Sequence, residues 1–493
     1  MDNILLIGGT DPSGAGLQTD WKVINSLEVQ AVSVVTAVTA QNSAGVLNDG
    51  VLPYAQIKAQ FDALKGQTFS AIKIGMLGND LAVKAVVNFL AKQDRQTVVI
   101  LDPVLSASSG GKLLNYKGQL LLLSKLLPHV SVLTPNIEEL GVLSNLPVND
   151  PEQIQTASHQ LIQKGVNAVF VTGGHFSQEQ NKSIDTFIST SGGFYLVGER
   201  WQNRSNVRGT GCVLATAIAA FVAKGYSLID ALVRAKGLTS QGIKQAIEND
   251  QQLKFQFTHQ HSGDNISLAH LPSLVLRYPE PNYNFSSCDT KSLGIYPVID
   301  SVDWLKKLLP LGIKTIQLRI KDKQDNEVEA DIIEAIDFCK NHSTRLFIND
   351  YWQLAIKHKA YGIHLGQEDL ASLTSTDLQT IADAGCRLGI STHSYAEVAR
   401  TLAIKPSYIA LGPIFETTSK DMPWIPQGVD AVANWVKLLG DDYPLVAIGG
   451  INFERAEALK KTGVGSVAMI SAITKSNDYE KATNDLLTLW EQD

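Results

Sequence analysis

The stretch RLGISTHSYAEVARTLAIKPSYIALGPIF, residues 387–415, reads as a strand, a helix and a second strand in immediate succession. RLGIST (387–392) and YIALGPIF (408–415) are short β-branched runs, whereas YAEVARTLAI between them carries its apolar residues at helical spacing. The rhythm extends outward in both directions. GIYPVID (294–300), TIQLRIK (315–321), RLFIND (345–350) and GIHLGQ (362–367) precede it, and PLVAIGG (444–450) and SVAMISAI (466–473) follow. Amphipathic stretches such as VEADIIEAIDFCKNH lie between them. Eight strands alternating with helices over about 200 residues match the count and length of a small (β/α)8 TIM barrel. In that fold the carboxyl ends of the strands carry the chemistry. Here those ends hold Arg319, Lys321, Asn349, Asp350, His364, Gln367, Ser391 and Thr392.

The preceding half alternates too, but closes differently. Buried-looking strands fall at NILLIGG (3–9), AVSVVTAVTAQ (31–41), AIKIGML (71–77), TVVILDPVL (97–105), SVLTPN (131–136) and AVFVTGG (168–174). SIDTFISTSGGFYLVGER then reads as a β-hairpin turning on Gly192-Gly193. Only after it does RGTGC (208–212) run into an alanine-rich helix. The order predicts an open doubly wound α/β sheet with helices on both faces. Residues 250–292 have no clear periodicity, and the proline, serine and asparagine at 278–292 mark a linker. The expected organisation is a first domain at 1–260, a linker at 261–292 and a barrel at 293–493.

The bulk composition narrows the class. At 493 residues the chain is too long for one hydrophobic core. A net charge of −7 supplies no broad basic face for nucleic acid. The start, MDNILLIGGTD, lacks the positive charge, longer apolar core and cleavage site of a signal peptide, and no window holds 18 uninterrupted apolar residues. Cys212, Cys288, Cys339 and Cys386 form no CxxC pair or metal spacing, so the expectation is a reduced, cytoplasmic protein acting on small molecules, away from membranes. Self-association into a homo-oligomer is left open.

Five constellations carry chemistry. Gly209 and Gly211 before a helix let backbone amides converge on an anion, and the helix dipole there favours the Cys212 thiolate; the rival reading is a tight turn with a small core cysteine. TPNIEE offers Asn136 and Glu139 beyond a strand, suited to a magnesium–phosphate cluster. QLRIKDK puts Gln317, Arg319 and Lys321 on alternate positions and so on one side of their strand, where long polar groups call for an anionic ligand. Asp350 and Asp369 can jointly hold Mg²⁺ beside a diphosphate, although Asp369 alone also reads as a helix N-cap. GPIFETTSKD adds Thr417, Ser419 and Lys420, and the IGGI glycines read either as a phosphate loop or as a packing pair.

GAGLQTD, TAVTAQN, KIGML, LDPV, TPNIEE, VTGGH and GTGC, in that order, make residues 1–260 resemble the hydroxymethylpyrimidine and hydroxymethylpyrimidine-phosphate kinases of the ribokinase-like fold. The resemblance implies an anion hole of Gly209, Gly211 and Cys212, with Cys212 as base. It places Asp20, Gln41 and Met76 on the pyrimidine, and Asn136 and Glu139 on Mg²⁺ and the co-substrate ATP. Four departures stand out: Thr172 where the family has lysine, Arg208 where it has histidine, an altered LSASSG loop after LDPV, and the opening GGTDPSGAG where GSDSGGGAG is more common. They narrow the expectation to the second phosphorylation, monophosphate to diphosphate, with Arg208 gripping the substrate phosphate and the first phosphorylation left open.

QLRIKDK, INDYW, HLGQEDL, GPIFETTSK, IGGI and ISAI make residues 293–490 resemble thiamine-phosphate synthase. That family joins hydroxymethylpyrimidine diphosphate to hydroxyethylthiazole phosphate. The resemblance implies a diphosphate grip of Gln317, Arg319, Lys321, Asn349 and Lys420, with Mg²⁺ on Asp350 and Asp369. Ser391 would lie near the pyrimidine, and Thr417, Ser419, Gly450, Ile470 and Ser471 would hold the thiazole phosphate. The rival reading keeps only the barrel active and makes residues 1–260 a pyrimidine-binding or regulatory module; a kinase for another small alcohol such as pyridoxal is a weaker rival.

Overall fold

The computed structural model describes residues 3–12, 14–42, 45–106, 111–173, 181–201, 207, 209–248, 266–279, 281–321, 325–416 and 425–491. The chain forms two compact units, Met1–Tyr278 and Pro279–Asp493.

The strands of the first unit are β1 (Asn3–Thr10), β2 (Gln30–Val38), β3 (Ala40–Asn42), β4 (Gly45–Asn48), β5 (Ala71–Ile74), β6 (Val98–Leu101), β7 (Val132–Leu133), β8 (Ala168–Val171), β9 (Lys182–Ser189), β10 (Gly192–Glu199) and β11 (Ser273–Val275). Nine of them make one sheet in the order β11-β10-β9-β8-β7-β6-β5-β1-β2, and β3 and β4 pair separately. From β2 to β8 all neighbours are parallel, while β9, β10 and β11 are added antiparallel. The parallel strands are returned by α1 (Leu17–Ser26), α2 (Tyr54–Ala63), α3 (Asp80–Leu90), α4 (Tyr116–Leu121), α5 (Ile137–Ser144) and α6 (Pro151–Gln163); α7 (Thr210–Ala223) and α8 (Leu228–Glu248) follow the hairpin.

Ile4 to Ile7 are all fully buried, which requires cover on both faces of the sheet. Leu5 and Ile7 share a core with Phe61, Phe89, Leu140 and Leu161 of α2, α3, α5 and α6. Ile4 and Leu6 point the other way, toward the side where α1 packs on β1 and α7 on β5 and β6. The run VLATAIAAF is apolar on every side but for Thr216, so α7 is buried along its length rather than along one stripe.

Two expectations shift. The hairpin turns on Thr190-Ser191, and Gly192 already pairs with Ser189. Gly193 instead keeps the ladder close, since a Cβ there would lie 2.6 Å from the Phe187 carbonyl oxygen. The expected linker at 261–292 is also divided. Residues 273–275 form the edge strand β11 on β10, so this part belongs to the first unit. Residues 281–292 pack on the second unit, burying Tyr283 and Phe285 and clasping Asp289 to Arg345 at 2.6 Å. Polar composition read as a linker because short apolar runs carry too little periodicity to announce an edge strand.

The second unit is a closed parallel barrel of β12 (Gly294–Ile299), β13 (Thr315–Leu318), β14 (Arg345–Asn349), β15 (Gly362–Leu365), β16 (Arg387–Thr392), β17 (Tyr408–Leu411), β18 (Leu445–Ile448) and β19 (Ser466–Met469). Its interior holds Tyr296, Val298, Phe347, Tyr408, Val446 and Ala468. Glycines inside two strands make room for the rings. A Cβ on Gly389 would lie 2.1 Å from the Tyr408 ring, and one on Gly362 would lie 2.5 Å from Phe347. Gly389→Ala should therefore lower the midpoint of the barrel's unfolding transition in urea, by the equivalent of about 1–3 kcal/mol for an overpacked core; an unchanged midpoint would show that Tyr408 moves freely.

Two candidate active sites

In the first unit a cavity of about 780 Å³ follows the carboxyl ends of the strands and is lined in part by Asp102, Asn136, Glu139, Thr172, Gly209, Gly211 and Cys212. Gly209 takes a left-handed φ of 83° and opens α7 with no side-chain cap among the described residues. The first amides of α7 are thus left to a ligand, as an anion hole requires. The Asp102 carboxylate lies against this terminus, 3.5 Å from where a Cβ on Gly211 would be, an ordinary contact distance.

Beneath the terminus lies a buried charge cluster. Lys73 Nζ donates to both oxygens of Asp20, at 2.9 and 2.8 Å, and Thr216 Oγ1 donates to Asp20 at 2.7 Å. Lys73 and Asp20 are 1% and 0% exposed, so here Asp20 is the internal counter-ion of Lys73. Cys212 is half-buried and hydrogen-bonded to Asp102. Burial pushes its thiol up to about 12; Lys73 opposes the rise, and Asp102 and Asp20 add to it. Burial first, with two acids beside it, thus favours the thiol over the expected thiolate.

Asp102 itself, to which sequence reasoning gave no role, is pushed up to about 6 by burial against the pull of Lys73. Burial and then Asp102 raise Glu139 to about 7. Asn136 and Glu139 are engaged with each other in a reciprocal capping box on α5. Asn136 accepts from the Glu139 amide at 2.8 Å, Glu139 Oε2 accepts from the Asn136 amide at 3.0 Å, and Leu105 N–H donates to Oε1 at 3.2 Å. The pair expected on Mg-ATP thus has a structural duty, and Glu139 and Asp102 are the carboxylates that face each other. Met76 is 8% exposed and packs with Ala37 and Leu113. Arg208 and the side chain of Gln41 lie outside the described residues.

In the barrel, Asn349 and Gln317 are buried at the strand ends. Asp350 follows with φ 65°, a left-handed turn that aspartate tolerates. Burial, Asp369 and a hydrogen bond between the two carboxyls raise Asp350 to about 6, while Arg319 and Asn349 oppose the rise. The two acids expected from the sequence are therefore in contact, with Arg319 beside them. Lys321 is exposed beyond the end of β13. Ser391 is held by a buried chain that sequence reasoning missed. His364 Nε2 shares a hydrogen bond with Ser391 Oγ at 2.9 Å, His364 Nδ1 with the Tyr408 hydroxyl at 2.6 Å, and Tyr408 with Tyr296 at 3.0 Å. Burial and Arg319 hold the His364 imidazole down at about 4, so it is neutral. The only advance signal was a histidine on an otherwise apolar strand.

Gly450, at φ 64°, comes so close to residue 416 that a Cβ would lie 2.3 Å from its carbonyl oxygen, which gives the IGGI glycine a packing reason. Ile470 packs against the barrel's interior cluster and Ser471 opens the short helix Ser471–Thr474. Thr417, Ser419 and Lys420 lie outside the described residues.

Residues 294–473 match the thiamine monophosphate synthase family model. A thiamine-phosphate synthase of Salmonella typhimurium is 58% identical over 197 residues, 40% of this chain and 92% of its relative. The chain belongs to the thiamine-phosphate synthase family. Its first unit is matched over residues 11–256 by the phosphomethylpyrimidine kinase family model, so a kinase domain precedes the synthase domain. The phosphomethylpyrimidine kinase structure from Clostridium difficile 630 covers 49% of the chain and 99% of its own at 28% identity, with a TM-score of 0.43. A pyridoxal kinase structure from Staphylococcus aureus shows 28% identity over 49% of the chain and 87% of its own, with a TM-score of 0.44. Among the described residues no helix is long and apolar enough to cross a membrane.

The buried cluster of the kinase domain makes a stability prediction. Lys73→Met strands the Asp20 carboxylate in the interior and should cost about 3–5 kcal/mol in urea unfolding, whereas Lys73→Met with Asp20→Leu should recover most of that loss. Equal stability of the single and double variants would show that the pair is solvated.

Proposed function

We propose that the chain carries two consecutive steps of thiamine synthesis. The kinase domain transfers the terminal phosphoryl group of ATP to hydroxymethylpyrimidine phosphate. The synthase domain then joins the resulting diphosphate to hydroxyethylthiazole phosphate and releases pyrophosphate. The observation that carries this reading is the pairing in one chain of a kinase-family domain and a synthase-family domain, the product of one being the substrate of the other.

In the kinase domain the amides of Gly209, Gly211 and Cys212 would receive the transferring phosphoryl group, with Arg208 on the substrate phosphate and Met76 and Gln41 at the pyrimidine. The raised Cys212 thiol favours the second phosphorylation. A phosphate monoester has a second pKa of about 6 and attacks as an anion already formed, so it needs no base, whereas the free alcohol does. Phosphoryl transfer then depends on positioning and charge neutralisation.

Asp102 and Glu139 repel one another in a buried setting, and the carboxyls of Asp350 and Asp369 share a hydrogen bond; a divalent cation relieves either arrangement. These pairs would hold Mg²⁺, which supplies charge neutralisation on the phosphates. In the synthase domain Gln317, Arg319, Lys321, Asn349 and Lys420 would grip the diphosphate, and Ser391, fixed by His364, would contact the pyrimidine. Thr417, Ser419, Gly450, Ile470 and Ser471 would receive the thiazole phosphate. The thiazole nitrogen takes the pyrimidine methylene as the carbon–oxygen bond to diphosphate breaks. No base is needed, and the residues stabilise the leaving group.

Two measurements test the assignments. With ATP and each pyrimidine separately, turnover of the monophosphate should exceed that of the free alcohol by about 100-fold or more, the usual worth of a general base; equal turnover overturns the restriction to the second step. In the synthase domain Asp350 holds its proton below about pH 6, so Mg²⁺ should bind about tenfold more tightly at pH 7 than at pH 5. Asp350→Asn should flatten that dependence and abolish coupling; an unchanged pH dependence removes Asp350 from the metal site.

A further inference from the structure

In the barrel β15 and β16 lie side by side, and the turn after β15 carries a side chain that the diphosphate grip and the metal pair leave unused. Gln367 opens the helix Gln367–Ser372, two residues beyond β15 and two before Asp369. Its amide nitrogen reaches across to the end of β16 and donates to the Ser391 carbonyl oxygen at 2.7 Å. That contact fixes which way the amide faces, because a flipped amide would set two carbonyl oxygens against each other. The other end of the amide is therefore an acceptor, and this Oε1 is buried with no donor among the described residues. A buried acceptor without a donor is costly, so one left at the carboxyl ends of barrel strands calls for a donor on a ligand.

The surroundings of Gln367 are rigid. Ser391 Oγ is tied to His364 Nε2 at 2.9 Å, and His364 Nδ1 to the Tyr408 hydroxyl at 2.6 Å, so the residue that Gln367 grips is itself fixed from the barrel interior. The chemistry of the two substrates then narrows the donor. Hydroxymethylpyrimidine diphosphate carries one exocyclic amino group, on the ring carbon next to the reacting methylene, and hydroxyethylthiazole phosphate carries no N–H at all. The amino group is the only N–H donor that either substrate offers.

We propose that Gln367 Oε1 accepts a hydrogen bond from the exocyclic amino group of the pyrimidine and stabilises the positive charge that develops there. This rests on the synthase reading above. When the carbon–oxygen bond breaks, the diphosphate leaves with the bonding electrons, and the ring shares the methylene's deficit with the amino nitrogen. The amino hydrogens become stronger donors as this charge grows, so the bond to Gln367 tightens on the way to the transition state. The thiazole nitrogen's lone pair then forms the carbon–nitrogen bond, and no proton moves.

The test uses the full-length protein and Gln367→Met, which keeps the length of the side chain and removes both polar atoms. Calorimetric titration compares thiamine phosphate with its analogue bearing hydrogen in place of the amino group. The unaltered protein should prefer the amino compound about tenfold, and Gln367→Met by less than about threefold. In the coupling assay with the corresponding diphosphates, kcat for the amino substrate should fall about tenfold or more in Gln367→Met, while kcat for the analogue changes by less than about threefold. Mg²⁺ affinity within about twofold of the unaltered protein shows that the strand ends are intact; where it is lost, Gln367→Ala, a truncation at the first residue of its helix, takes the same measurements. An unchanged preference for the amino compound overturns the contact. An equal loss of kcat for both substrates overturns it too, since Gln367 would then serve only to hold Ser391. Absence of coupling by the unaltered protein, with its preference for the amino compound intact, would overturn the synthase reading and leave the contact standing.

Discussion

Parallel strands can be joined only by crossovers, and that constraint places both candidate sites. Each strand must be returned by a helix to its starting edge, so all carboxyl ends collect on one side of the sheet or barrel. The polar residues that follow these ends, Asp102, Asn136 and Thr172 in the kinase domain and Asn349, Asp350 and Ser391 in the synthase domain, are thereby brought together although they are far apart in the chain. The sheet closes into a barrel in one domain. In the other it stays open and is extended by antiparallel strands.

Inside the kinase domain the arrangement rests on buried charge. Lys73 and Asp20 are sealed under α7, and Thr216 satisfies a further lone pair of the carboxylate. The cluster has consequences at the surface it supports. Burial, with Asp102 and Asp20 adding to it, holds the Cys212 proton in place, so the cysteine at the helix terminus donates a hydrogen bond to Asp102. A helix dipole is worth about 0.3–1 kcal/mol at an exposed terminus, too little to prevail over burial and two carboxylates.

The synthase domain handles its polar interior differently. The chain Tyr296–Tyr408–His364–Ser391 runs through the barrel core with each hydroxyl and ring nitrogen paired, so buried polar groups are kept without unmatched charge. It orients Ser391 from below while Asp350 and Asp369 share their hydrogen bond above the strand ends. The glycines at 362 and 389 belong to the same solution, because the rings fit only where the facing strand has no Cβ.

Much of this was legible in the linear chain. The strand–helix rhythm of 294–473 gave the barrel, since a period of alternating elements survives without tertiary information, and the pairing of Asp350 with Asp369 followed from their places at adjacent strand ends. The glycine-framed start of α7 was equally readable, because left-handed backbone and close approach favour glycine in any fold. Roles that depend on burial were not readable. Asp20 is paired with Lys73 in the interior, Asn136 and Glu139 also cap a helix, and residues 261–292 looked like linker although 273–275 complete a sheet. Periodicity and turn chemistry are local properties and the sequence by itself determined them; the charge state of Cys212 and the partner of each acid were decided only by the tertiary structure, because desolvation and Coulomb interaction depend on neighbours that the chain brings together only when it folds.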